Sequence, residues 1–102
     1  MNAVDAVQAA DFACHLALKD PKDDSYRLML LEALARFKAI PLNSFSNEVL
    51  DLVGQSRGQA DTLSDRILVS SNLSDPSIDN EIRAVCHTLG SLASAMRPSA
   101  PM

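Results

Sequence analysis

Twice in 102 residues the chain sets an aspartate directly before a proline and follows the pair with more acid: Asp20-Pro21 with Asp23, and Asp75-Pro76 with Asp79. A carboxylate can accept the unsatisfied N–H groups of a first helical turn. Proline tolerates the first helical position, and acid there suits the helix dipole. Each pair predicts a helix start, and together they cut the chain into helix-sized segments. One helix is expected over about 21–39 and another over about 76–97. A first helix runs from Asn2 to Lys19 and stops ahead of Pro21. The second stops at Ile40, which Pro41 pushes out of helical conformation.

The third helix is expected to start within Leu42–Glu48, where Asn43, Ser44 or Ser46 can cap, and to run to about Asn72. Gly54 and Gly58 interrupt it, each costing roughly 1 kcal/mol relative to alanine. Continuity is favoured by register. Phe45, Val49, Leu52, Val53, Ser56, Ala60, Leu63 and Ile67 share one side at 100° per residue. Ser56, Ala60 and Ser64 keep the middle of that stripe small, so a neighbouring helix can come close. No strand pattern competes, since the one β-branched run, in RILVSS, stays in helical phase. The fold class is therefore all-α: an antiparallel four-helix bundle over residues 1–97, its long third helix free to bend at the glycines. A flexible proline-rich tail over 98–102 follows.

Composition narrows the function classes. Apolar residues make up 47% and aromatics only 4%, with no tryptophan, so the core must be aliphatic and the chain is not a disordered tail. A formal charge of −4 argues against nucleic acid, whose partners concentrate Lys and Arg. The first nineteen residues carry Asp5 and Asp11 but no basic residue before Lys19, unlike a secretory or mitochondrial leader. No stretch reaches the roughly 20 apolar residues of a membrane span. The expected setting is cytoplasmic, with free thiols, and the Asn72-Leu73-Ser74 sequon then has no use.

Both cysteines are followed at once by the two histidines, in FACHLAL and AVCHTLG. On helical wheels Cys14 and Cys86 fall on or beside the apolar arcs, whereas His15 and His87 fall 100° further round on polar faces. Adjacent helical side chains diverge, and zinc sites favour Cys-x₂₋₄-Cys or His-x₃₋₅-His spacings. The expectation is two small buried thiols beside two solvated histidines, with no metal and no cofactor. A Cys14–Cys86 disulfide is geometrically open but out of keeping with the compartment. Both histidines read as solvated and not as oriented by a buried carboxylate, and the glycines form no phosphate loop, so no catalytic constellation emerges.

One alternative uses His87. Gly90, Ser91 and Ser94 lie on its side of the helix and Arg83 one turn back, giving room and a cation for a phosphoryl group. The string CHTLGSLAS resembles in part the His-x-Leu-Lys-Gly-Ser core of histidine phosphotransfer domains. It departs from that core in lacking the lysine and in placing glycine one residue early.

The apolar residues that remain point to binding. Tyr26, Leu30, Ala33, Leu34 and Phe37 make one core-facing stripe, whereas Leu28, Leu31 and Ala35 lie outside it. Phe12 and Leu16 stand similarly outside the Val4/Val7/Cys14/Leu18 side of the first helix, and Leu50 and Leu68 outside the stripe of the third. Surplus apolar helix surface marks interfaces. The expected function is a small acidic protein–protein interaction module, an adaptor, chaperone-like or inhibitor subunit. It would bury Leu28, Leu31, Ala35, Phe12 and Leu16 against a protein partner or a second copy.

Overall fold

A computed structural model describes residues 2–69 and 75–96. Four helices, α1 (Ala3–Lys19), α2 (Asp24–Ala39), α3 (Leu50–Val69) and α4 (Pro76–Met96), form an antiparallel bundle. Each packs on two neighbours, α1 on α2 and α4, and α3 on α2 and α4. Among the described residues there is no strand. The expected tail over 98–102, the last residues assigned to the third and fourth helices, and the Asn72-Leu73-Ser74 sequon lie outside the described residues.

Three helix starts show their chemistry directly. The Asn2 side chain accepts from Asp5 N at 2.8 Å and begins α1. Asp75 accepts from both the N–H and the hydroxyl of Ser77 at 2.8 Å, so Pro76 opens α4 as expected. The other Asp-Pro pair behaves differently. The Asp20 N–H still bonds back to Leu16 O at 3.1 Å, and Asp23 N bonds to Asp20 O at 3.1 Å. Pro21 thus serves a turn, and Asp23 is the cap, accepting from Ser25 N at 2.8 Å and Tyr26 N at 3.4 Å. The expected start of α2 at residue 21 is corrected to Asp24, because a proline beginning a turn is as satisfied as one beginning a helix.

The approach to α3 also differs from expectation. Two 3₁₀ turns, Leu42–Ser44 and Asn47–Val49, occupy the segment expected to be helical. They roll Phe45 into the core without helical register. There its ring meets Phe37 edge to face, 6.5 Å between centroids at 81°. Beyond Leu50 the helix is unbroken through Gly54 and Gly58. Both glycines are exposed with ordinary backbone angles.

The core is aliphatic. Leu30, Leu34, Leu63, Ile67, Ile78, Ile82, Leu89 and Leu92 are fully buried around Phe37. The buried side of α1 is different in kind: Ala3, Ala6, Val7, Ala10, Ala13, Cys14 and Ala17. Side chains this small let the backbones of both neighbours of α1, α2 and α4, come close. Polar ties cross the α2–α3 and α3–α4 seams. Lys38 pairs with Asp61 at 3.0 Å, Arg66 with Glu81 at 2.8 Å, Arg27 donates to Ile67 O at 3.0 Å and Arg57 donates to Ile40 O. No helix among the described residues is long and apolar enough to cross a membrane.

Candidate functional site

Two surfaces stand out, and the first lies where α1 meets α4. Asp11 and His15 are one turn apart on α1, with side chains on the same face. Opposite them Cys86 reaches out from the edge of the apolar arc of α4. Cys86 Sγ lies 3.4 Å from His15 Nε2 and 3.6 Å from Nδ1, and 3.7 Å from Asp11 Oδ1. His15 Nε2 lies 3.5 Å from the same carboxylate oxygen. The three groups close a triangle and line an open depression of about 870 Å³. His87, Arg83, Gly90, Ser91 and Ser94 line its α4 side.

Exposure of the two Cys-His pairs follows the wheels. Cys14 and Cys86 are buried, and His15 and His87 are exposed. The expectation that both histidines are merely solvated is corrected for His15, which meets a half-buried carboxylate and a thiol from another helix. What one wheel cannot contain is the pairing across helices: His15 meets the cysteine of the other doublet. Two signals were present in the sequence. Cys86 sits at the margin of its arc, and an acid precedes His15 by four residues.

Both cysteines are free thiols. Burial, reinforced by Cys86 and Asp11, raises the Cys14 thiol far above its ordinary value. Burial also pushes the Cys86 thiol up to about 11, helped by the Asp11 carboxylate and its hydrogen bond and opposed by Arg83. The protonated thiol donates to Asp11. A nucleophilic relay would need the imidazole between thiol and carboxylate, each on its own ring nitrogen. Here both sit nearest Nε2, so the group is a triangle and not a relay. Arg83 is held by Asp79, its Nε donating to Oδ2 at 2.7 Å, and that contact raises its already high pKa.

The second is a set of large apolar side chains left in water on α1, α2 and α3. Phe12 is 61% exposed and Leu28 55%, with Met29 and Leu68 also open to solvent. Because Arg27 donates to Ile67 O, Leu28 and Leu68 stand at the same end of neighbouring helices. Ala35 is exposed and Leu16 half-buried. Leu31 is partly buried against the bundle's own core, so less of it remains for a partner than its wheel position implies. Leu50 likewise packs on the core.

No protein-family model matches the chain, and neither does any curated protein or solved structure.

Proposed function

We propose that the protein is a small helical interaction module that binds a protein partner, or a second copy of itself, through the outer faces of α1 and α2. The observation that carries this reading is the exposure of Phe12 and Leu28 on faces turned away from a core that is already filled. With just over half of each side chain in water, a partner that covers them can recover about 1–2 kcal/mol from each. Charged neighbours such as Glu32 and Arg36, themselves paired, would form the rim.

The test is a pair of single substitutions, Phe12→Glu and Leu28→Glu, compared with wild type by sedimentation and by capture of partners from a lysate. Both positions are exposed, so the fold tolerates them. Association that weakens at least tenfold in either variant supports the reading. A wild-type chain that stays monomeric and captures nothing that the variants fail to capture sinks it.

A second reading rests on the shared depression of His87, Arg83, Gly90, Ser91 and Ser94, which has room for a phosphoryl group on the His87 ring. Incubation with acetyl phosphate would then leave acid-labile phosphate on the wild type and none on His87→Gln. Equal labelling of the two, or none, removes this alternative.

A further inference from the structure

We propose that Asp11, His15 and Cys86 form a binding site for a divalent transition-metal ion, zinc above others, whose fourth coordination position opens into the depression between α1 and α4. Three donor types converge from two helices, and their ligand atoms lie within 4.8 Å of one another. The edges of the triangle are 3.4 Å (sulfur to nitrogen), 3.5 Å (nitrogen to oxygen) and 3.7 Å (sulfur to oxygen). Bonds of about 2.3 Å to sulfur and 2.0–2.2 Å to nitrogen and oxygen, set tetrahedrally, require edges of about 3.4–3.6 Å. The apo arrangement already has those edges to within about 0.2 Å.

Hydrogen bonding alone explains the convergence poorly. The 3.5 Å separation of His15 Nε2 from Asp11 Oδ1 exceeds a good N–H···O bond. Cys86 Sγ is almost equidistant from both ring nitrogens, so it lies on the lone-pair axis of neither. His15 is exposed on its side chain to 63%, so its ring can turn Nε2 toward a bound ion with little resistance.

The donor set selects the ion. A thiolate, an imidazole and a carboxylate together suit borderline-soft zinc and disfavour magnesium or calcium, which take oxygen. The carboxylate and thiolate together balance the charge of a divalent cation. The charged and titratable groups around the depression are Asp11 and His15 on α1, with Arg83, Cys86 and His87 on α4. Arg83 is engaged by Asp79, so its charge is offset locally. Three protein ligands beside an open depression leave the fourth position to water or to an incoming group.

The experiment uses the full chain stripped by chelator and titrated with Zn²⁺ by calorimetry, then with Co²⁺ as a spectroscopic stand-in. One equivalent should bind, and Co²⁺ should give tetrahedral d–d bands with a near-ultraviolet thiolate charge-transfer band. Cys86→Ser should abolish the charge-transfer band. Cys86→Ser and His15→Ala should each weaken zinc by at least about tenfold, and the rise in melting temperature at a fixed zinc concentration should be largest in wild type. His15 is exposed, so that variant keeps its helical circular dichroism and separates loss of the site from loss of the fold. Zinc binding unchanged in both variants, a charge-transfer band lost in Cys14→Ser instead, or no binding at one equivalent overturns the assignment. Loss of binding in His87→Gln overturns the open fourth position.

Discussion

Cys86 and His15 are 71 positions apart in the chain and meet at 3.4 Å across the α1–α4 seam, with Asp11 touching both. The meeting depends on α1 presenting alanines to the bundle. Geometry at the surface is therefore set by residues beneath it.

The thiol of Cys86 should be slow to react. With its pKa at about 11, roughly one molecule in a thousand is thiolate at pH 8. In EDTA, and in a Cys14→Ser background, alkylation by iodoacetamide should climb about tenfold per pH unit up to pH 10. Asp11→Asn should accelerate it, because the carboxylate contributes to the rise. A rate that levels off below pH 9 would contradict this.

Gly54 and Gly58 each leave open space where a Cβ would go, with nothing within 4 Å. Alanine at either site should therefore add stability by about 0.5–1 kcal/mol through helix propensity alone. Urea denaturation monitored by circular dichroism measures it, and a lower midpoint in either variant would show that α3 needs its soft middle.

Ser56 is fully buried in α3, and its hydroxyl has no hydrogen-bond partner among the described residues. Ser56→Ala removes a desolvated hydroxyl from the core. It should raise stability by about 1 kcal/mol. A drop in melting temperature would mean that the hydroxyl is satisfied in solution.

Asp75 holds its carboxyl below the usual carboxylate range through the Ser77 hydroxyl and backbone N–H. A depressed folded-state pKa gives stability that is present above the unfolded value of 3.8 and lost as pH falls through the folded value. Asp75→Ala should lower the melting temperature at pH 7 and leave it nearly unchanged at pH 2. Equal losses at both pH values would count against the capping carboxylate.

How much of this was legible differs by level. The four helices could be read because aliphatic residues in α4, from Ile78 to Leu92, recur at helical spacing, and because Asp75-Pro76 is both cap and first position. Asp20-Pro21 misled because the same two residues can close a turn, and only the bond from Asp20 N back to Leu16 decides between them. Phe45 belongs to the core as its stripe position predicts, but 3₁₀ turns and not a helix deliver it there. The α1–α4 triangle was out of reach. Wheel positions describe one helix at a time, whereas the meeting of His15 with Cys86 depends on how two helices align along their axes.

That alignment has its own consequence. The buried side of α1 is mostly alanine, a nearly smooth rail that offers few protrusions to lock into a groove. Sliding by a turn would cost such a helix little apolar contact. Val7 and Cys14 are the larger side chains on that rail and index its position, so the register that fixes the bundle is also the one that sets Asp11 and His15 opposite Cys86.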